Sequence, residues 1–261
     1  MSAQAAARDD ADGVLEAVGV SKHFGGVHAL RNVSLRLREG DIVGLIGPNG
    51  SGKTTLLNCL SGVFPPTAGR VALDGSPIPR RRGHTVARRG VVRTFQNICL
   101  FDWLTALQNV EVGALGAGRV RRQSSRRHAL ETLTQLGIHG LADRYAGMLS
   151  YGDQRRLEIA RALAASPRFL LLDEPAAGMN EGESNALGEA IQTIRRERGC
   201  GVLVVEHDLR LIMRICNRVV VLNEGEVIAE EAPEAVRSDP AVVAAYIGAE
   251  DTGNATNGGA E

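Results

Sequence analysis

Hydrophobic positions in the first 80 residues recur with the spacing of strands. Apolar runs, or a period-two alternation of apolar and polar residues, predict strands at 14–20, 33–37, 41–46 and 71–75. After Asp41, the run at 41–46 has no polar side chain, as expected for a buried strand. The early part of the chain is therefore predicted to be rich in strands.

The pattern changes to helical spacing between about residues 104 and 165, and then to an alternation of strands and helices. The later strands are predicted at 169–172, 202–205 and 218–222. Such alternation is typical of an α/β fold. We therefore predict an α/β domain with a mostly parallel sheet flanked by helices. It is preceded by an N-terminal antiparallel β subdomain and contains an inserted α-helical subdomain at about 100–165.

Both ends of the chain lack the residues that build a core. Residues 1–12 are small and polar without the apolar segment of a signal peptide, and 249–261 are rich in Gly, Asn, Ala, Thr and Glu. We predict that both ends are disordered and place one domain at 13–248. No stretch approaches the roughly 18 apolar residues that a membrane-spanning helix needs.

The composition of the chain limits the classes of partner that it is expected to bind. The chain has 28 arginines and two lysines, and its net charge is zero, which argues against bulk nucleic-acid binding. Four cysteines without CxxC spacing are expected to be reduced. Eleven arginines lie within 80–127 against two acidic residues. Such a cluster most often lies on solvent-exposed faces of helices and loops. The alternative explanation is a surface that contacts anionic lipid headgroups or an acidic loop of a partner.

A glycine-rich segment joins the strand at 41–46 to a helix predicted to begin at the lysine. It is a complete GxxxxGK[ST] pattern, which consists of Gly47, Pro48, Asn49, Gly50, Ser51, Gly52, Lys53 and Thr54, followed by Thr55. In this context backbone N–H groups and a helix N-terminus cradle phosphates. Lys53 is expected to contact the terminal phosphates and the Thr54 hydroxyl to bind Mg²⁺. The segment predicts a nucleoside triphosphate site and leaves open a kinase, a GTPase or a motor.

Two adjacent carboxylates end the strand predicted at 169–172. Asp173 and Glu174 should face the phosphate loop, because the carboxyl ends of parallel strands border the ligand crevice. Successive strand residues point in opposite directions, which gives the pair different roles. We expect Asp173 to hold Mg²⁺, directly or through water, and Glu174 to polarise a water in line with the terminal phosphate.

Two further polar residues follow apolar strands. Gln96 comes after 91–95 and could reach the metal and the attacking water, whereas His207 comes after 202–205 and could donate to the terminal phosphate. Alone, each residue is more often structural. Beside the loop and the two carboxylates, both are expected at the site.

A serine-capped helix start at 149–156 reads Leu-Ser-Tyr-Gly-Asp-Gln-Arg-Arg. It resembles the LSGGQ signature of the ATP-binding-cassette (ABC) ATPases, and the order of phosphate loop, glutamine, signature, Asp-Glu strand end and histidine is that family's order. The resemblance covers roughly 14–248. Tyr151 and Asp153 depart from the generic signature, and they resemble the Tyr-Gly variants of one importer subgroup.

The resemblance implies a P-loop NTPase core that binds ATP and Mg²⁺ and hydrolyses ATP. Phe24 matches the aromatic residue that stacks on adenine, and 177–180 match the loop that links two sites across a dimer. Ser150 and Gly152 match the residues that complete the ATP site of a second subunit. Thr54, Gln96 and Asp173 are the implied metal ligands.

Three segments, 90–110, 149–161 and 239–248, look like the ATPases of branched-chain amino acid importers. This implies a peripheral protein at the cytoplasmic face of the inner membrane. Its partners would be transmembrane permease subunits, a second ATP-binding subunit and a periplasmic or extracellular solute-binding protein, with no nucleic acid. Urea-import and lipopolysaccharide-export ATPases share much of the pattern. A soluble non-transport ABC ATPase is the other alternative.

Overall fold

The computed structural model describes residues 12–79, 82–116, 118 and 120–253, with only the backbone for 247–253. Within these residues ten strands form two sheets. The strands are β1 (Val14–Phe24), β2 (Val27–Arg38), β3 (Ile42–Ile46), β4 (Ala68–Leu73), β5 (Ser76–Pro77), β6 (Val91–Arg93), β7 (Phe169–Asp173), β8 (Gly201–Val205), β9 (Arg218–Asn223) and β10 (Glu226–Glu231).

The smaller sheet is antiparallel, with the strand order β2-β1-β4-β5. Along the second half of β2, buried Leu35 and Leu37 alternate with exposed Arg36 and Arg38, as the period-two pattern predicts. This sheet is the predicted N-terminal β subdomain.

The larger sheet has the order β10-β9-β3-β8-β7-β6. Five of its strands run parallel to one another, namely β3, β6, β7, β8 and β9. Strand β10 pairs antiparallel with β9 at one edge of the sheet. Every residue of β3, β7 and β8 is buried, because helices or the smaller sheet cover both faces. The predicted mostly parallel α/β core is confirmed.

Nine helices surround the sheets in the described part of the chain. They are α1 (Lys53–Leu60), α2 (Gly83–Arg88), α3 (Ala106–Gly116), α4 (Ser125–Gln135), α5 (Tyr151–Ala164), α6 (Glu181–Arg198), α7 (Leu209–Ile215), α8 (Pro233–Ser238) and α9 (Pro240–Gly253). Three short 3₁₀ turns, Arg122–Ser124, His139–Leu141 and Ala146–Met148, lie between α3 and α5. None of the described helices has the length and apolar character to cross a membrane.

The larger sheet separates two hydrophobic cores. On β7, Leu170 and Leu172 face the core that contains α3, α5 and α6, whereas Phe169 and Leu171 face the core shared with α1 and the smaller sheet. The period-two geometry of a strand produces this division. One strand therefore contributes packing to both cores before it ends at the two carboxylates.

A charged contact ties the two sheets together. Asp74, just after β4, accepts hydrogen bonds from the Gly13 N–H at 2.9 Å and from the Arg168 guanidinium at 2.6 and 2.9 Å. Arg168 lies just before β7 and also binds Glu39. The Arg168 hydrogen bond and charge hold the pKa of Asp74 below its ordinary value.

The predicted disordered tail does not begin at residue 249. Helix α9 continues to Gly253. Residues 254–261 of that tail, and residues 1–11 of the predicted N-terminal extension, lie outside the described part of the chain. The domain limits 13–248 stay a prediction.

Candidate functional site

The glycine-rich loop connects β3 to α1, which begins at Lys53 as predicted. Three of its glycines have positive φ: 148° at Gly47, 79° at Gly50 and 105° at Gly52. A Cβ at Gly52 would lie 2.5 Å from the carbonyl oxygen of Ala29. The loop therefore needs glycine both for its backbone conformation and for its close packing on β2.

Lys53 lies under this loop and is buried. Its ammonium donates to the carbonyl oxygens of Gly47 at 2.7 Å and Pro48 at 2.8 Å. Burial lowers the pKa of Lys53, and the negative charges of Glu174 and Asp173 act in the opposite direction. The ammonium is thus hydrogen-bonded to the loop and is influenced by the charge of both carboxylates.

A cavity of about 250 Å³ opens above the loop. Residues from the loop, from the segment after β6 and from the end of β7 line it, namely Ala29, Asn49, Gly50, Gly52, Lys53, Thr54, Thr55, Gln96 and Glu174. The structure thus brings half of the predicted site residues together at this cavity, although Gln96 and Glu174 are 78 positions apart in the chain. A Cβ at Gly50 would meet nothing within 4 Å, so its backbone is open to the cavity.

The residues present fit a triphosphate with Mg²⁺. The buried Ser51 hydroxyl has no hydrogen-bond partner among the described residues, and the lysine supplies positive charge. Among the described residues, no group of three or more His, Cys, Asp or Glu side chains is arranged to hold a metal ion by itself. Sites of this chemistry use one or two carboxylates and take the other ligands from phosphates and water.

Glu174 has a positive φ of 49° and a carboxylate bracketed by two predicted site residues. The Gln96 side chain donates to Oε2 at 3.2 Å, and Nδ1 of His207 lies 3.7 Å from Oε1. A positive φ is unfavourable for a glutamate and is typical of functional positions. The three residues form one polar group at the edge of the cavity.

Asp173 is buried and paired with an arginine that the sequence did not single out. Nη2 of Arg93 donates to Oδ2 of Asp173 at 3.1 Å. Burial raises the pKa of Asp173, and the charge of Arg93 opposes this effect. The signal in the sequence was a charged residue within an apolar strand pattern at 91–95.

Arg155 is a second residue that the sequence analysis missed. Its buried guanidinium donates to the carbonyl oxygens of Phe95 at 2.8 Å, Gln96 at 3.0 Å and Glu174 at 3.0 Å, and to Glu158 at 2.8 Å. It therefore fixes the backbone on both sides of the polar group. An arginine one turn before Ile159, on the apolar face of α5, was the available signal.

Glu206, beside His207, is also buried and was not predicted. Its carboxylate accepts from the Ala176 N–H at 2.7 Å and from the His207 N–H at 3.3 Å. Burial raises the pKa of Glu206, and the hydrogen bond from Ala176 opposes this effect. Glu206 joins the segment after β7 to the segment after β8.

Ser150, Gly152 and Phe24 do not line the cavity. Ser150 caps α5, where its Oγ accepts from the Asp153 N–H at 3.2 Å and donates to the Asp153 carboxylate at 2.8 Å. Phe24 ends β1, and its ring is 49% exposed. It packs edge-on against Phe64, with the Lys22 ammonium 5.0 Å from its centroid.

Comparison with known proteins gives one consistent family. A family model described as ABC transporter matches residues 30–177. The high-affinity branched-chain amino acid transport ATP-binding protein BraF of Pseudomonas aeruginosa is 43% identical over 249 residues, which cover 90% of this chain and 98% of BraF. The corresponding protein LivG of Escherichia coli is 41% identical over 249 residues with the same coverage. The lipopolysaccharide export system ATP-binding protein LptB of Haemophilus influenzae is 34% identical over 235 residues, covering 90% and 97%.

Solved structures give the same result. The ADP conformation of MJ1267, an ATP-binding cassette of an ABC transporter, has a TM-score of 0.81 and 32% identity, covering 90% of this chain and 98% of that one. The dimeric structure of MJ0796, a bacterial ABC transporter cassette, has a TM-score of 0.76 and 32% identity, covering 84% and 98%.

Proposed function

Because the chain belongs to the ABC transporter family, we propose that it is an ATP-hydrolysing subunit that powers the import of branched-chain or related amino acids. The observation that carries this proposal is the cavity in which Lys53 and Thr54 of the loop face Gln96 and Glu174. A loop that only reversed the chain direction would not require the Gln96 amide and the Glu174 carboxylate beside it, because both lie far away in the sequence.

The predicted polar residues in and beside the cavity have defined roles in this proposal. Lys53 and the loop N–H groups bind the phosphates. Thr54, Gln96 and Asp173 would hold Mg²⁺, which neutralises phosphate charge when bound. Glu174 orients a water for attack, while Gln96 and His207 fix its carboxylate.

A second copy or a related subunit completes the site. Ser150 and Gly152 lie outside the cavity, at the N-terminus of α5, where a hydroxyl and a helix dipole favour an anion. We propose that they bind the nucleotide held by the opposite subunit. Support comes from the dimeric structure of MJ0796, whose fold this chain shares.

The surface beside the site suits a membrane partner. A groove of about 400 Å³ is lined by residues of α2, β6, α3 and α5, with exposed aromatic rings at Phe95 and Phe101. His84, Arg88 and Arg161 give it a basic border against the single acid Glu158. We propose that it receives a cytoplasmic, amphipathic segment of a permease with acidic residues. The chain would then sit at the cytoplasmic face of the inner membrane, in a system with a solute-binding protein.

Import of amino acids is favoured over lipopolysaccharide export. BraF and LivG are 43% and 41% identical to this chain, whereas LptB is 34% identical. The transported solute contacts none of the residues in this cavity under the proposal, because solute selection belongs to the partners. Uptake of labelled leucine by cells that contain or lack this chain tests the assignment.

Glu174→Gln tests the hydrolytic role. We expect the variant to bind ATP and to lose turnover by about a hundred-fold or more, because the amide cannot act as a base. A nucleotide-bound dimer should accumulate, as measured by light scattering. Glu189→Gln, an exposed position on α6, is the matched control and should behave as the parent. Parental turnover in Glu174→Gln would remove Glu174 from the mechanism.

A further inference from the structure

Arg93 joins three elements that surround the proposed metal site. At the end of β6, its Nη2 donates to Oδ2 of Asp173 at 3.1 Å, and its Nη1 donates to Oδ1 of Asn58 at 2.6 Å and to Oγ of Ser61 at 3.4 Å. The Arg93 and Asp173 side chains are only 6% and 3% exposed. One guanidinium therefore ties the end of α1 to the carboxylate at the end of β7.

The same guanidinium also reaches the groove. Its carbon lies 4.7 Å from the ring centroid of Phe95, and both residues line the groove. Phe95 is 45% exposed, so a partner can contact it. The Arg93 side chain thus connects the Phe95 ring to the Asp173 carboxylate.

We propose that Arg93 is a positioning residue that sets the orientation of the Asp173 carboxylate, and that contact of a partner with Phe95 alters this orientation through Arg93. The inference rests on the proposed function, because it takes Asp173 as a ligand of Mg²⁺. Arg93 binds Oδ2, which leaves Oδ1 for the cation or its water. The planar fork of an arginine can bind Asp173 and Asn58 at once, whereas a lysine ammonium donates from one point.

Metal affinity is the quantity that this role controls. Groups that hold a metal ligand in place change metal affinity about ten- to a hundred-fold when they are removed, although they do not touch the metal. Phosphate binding by the loop does not involve Arg93. Loss of Arg93 should therefore weaken metal binding much more than metal-free nucleotide binding.

The test measures Mn²⁺ binding by electron paramagnetic resonance on the full chain saturated with a non-hydrolysable ATP analogue. Binding of the same analogue in EDTA is measured in parallel. We expect Arg93→Met to weaken Mn²⁺ binding about ten-fold or more and to leave analogue binding in EDTA within about two-fold. Arg198→Met is the control, because Arg198 is also largely buried but bonds Thr132 and Gln135. It should keep the parental Mn²⁺ affinity.

Two further variants separate the steps of the proposal. Arg93→Lys keeps the charge and should give an intermediate loss, and it carries the test if Arg93→Met does not fold by circular dichroism. Phe95→Ala should weaken Mn²⁺ binding about two- to five-fold, the value of a cation–π contact. Phe101→Ala, on the same groove but stacked with Arg161 rather than Arg93, should leave it unchanged.

The outcomes distinguish this inference from the proposed function. Parental Mn²⁺ affinity in the folded Arg93 variants overturns the positioning role, and parental affinity in Phe95→Ala overturns the link to the groove. If the parent chain itself does not bind the analogue with Mn²⁺, the proposed function fails instead.

Discussion

The position of the Glu174 carboxylate depends on a backbone conformation that other residues stabilise. Its φ of 49° lies in a region that costs a non-glycine residue about 1 kcal/mol or more. Its N–H donates to the Val205 carbonyl oxygen at 2.9 Å, and its own carbonyl oxygen accepts from Arg155 at 3.0 Å. The position of the carboxylate therefore depends on an arginine that lies outside the cavity.

Asp74 gives a residue-scale prediction about stability and pH. Asp74→Asn should lower the free energy of unfolding by about 1 kcal/mol at neutral pH, because it removes charge-assisted hydrogen bonds to Arg168. The pKa of Asp74 in the folded chain is below its ordinary value of 3.8, so this stabilisation is complete above 3.8 and is lost as pH falls through the lowered value.

Urea unfolding of parent and Asp74→Asn at neutral and at successively more acidic pH measures this difference. The difference in the free energy of unfolding between the parent and the variant should shrink as the pH falls. Glu226→Gln is the control, because Glu226 and its partner Arg31 are both largely exposed and such surface pairs contribute little. A gap that stays constant with pH would contradict the charge-based explanation.

At this scale, sequence alone predicted polar residues that the structure brings together in and beside the cavity, and missed the buried residues that hold them. Gln96, Glu174 and His207 follow apolar strands, and the carboxyl ends of parallel strands meet at one edge. Arg93, Arg155 and Glu206 act on groups far along the chain, such as the Phe95 carbonyl 60 positions from Arg155. Those contacts depend on the packing of whole elements, which no local pattern encodes.

Helix α5 carries at its N-terminus a charge that opposes its proposed ligand. Asp153 in the first turn accepts a hydrogen bond from Ser150 at 2.8 Å and pairs with Arg156 at 2.8 Å. The Asp153 carboxylate therefore already accepts the hydrogen bond of the Ser150 hydroxyl, which is the group proposed to bind the nucleotide of the opposite subunit. It also places negative charge where an anion has to approach.

Asp153→Gln should ease that approach. We expect the ATP concentration for half-maximal hydrolysis to fall about two- to five-fold, as removal of one charge near a helix terminus predicts. Stability should fall by less than about 1 kcal/mol, because a partly exposed pair is lost. Steady-state ATPase titrations measure the effect, with Asp143→Asn as an exposed control before the helix. An unchanged or higher half-saturation concentration would contradict this role for Asp153.

The central, buried elements were more predictable than the edge strands. The strands at 169–172 and 202–205 and the helix that begins at Lys53 have continuous local signals. The edge strand β10 and the two-residue β5 have weak patterns, since each depends on pairing with a neighbouring strand. The order that places β3 between β8 and β9 also comes from packing.

Under the proposed function, the molecule as a whole presents half of each of two sites rather than one complete site. The phosphate loop lies on the larger sheet, and Ser150 lies at the start of α5 outside the cavity. In a symmetric pair, each subunit would contribute its loop to one site and its serine to the other. Nucleotide would then act as part of the interface.

Mixing two inactive variants tests this arrangement. Lys53→Ala and Ser150→Ala should each lose most hydrolysis alone. In a mixed dimer, the loop of the Ser150→Ala chain meets the serine of the Lys53→Ala chain, so one site is intact. An equal mixture should recover about a quarter of parental activity, because about half of the dimers are mixed and each has one intact site. Activity equal to the mean of the two variants alone would contradict a shared site.

The scarcity of lysine gives this chain a natural attachment point for a probe. Of its two lysines, Lys53 is buried under the loop, whereas the Lys22 ammonium lies 5.0 Å from the Phe24 ring and 4.8 Å from the Phe64 ring. An amine-reactive dye would therefore attach to one side chain per molecule, apart from the N-terminal amine. Its fluorescence would report on Phe24, which the family resemblance assigns to adenine, and on the neighbouring Phe64 ring, with no engineered cysteine.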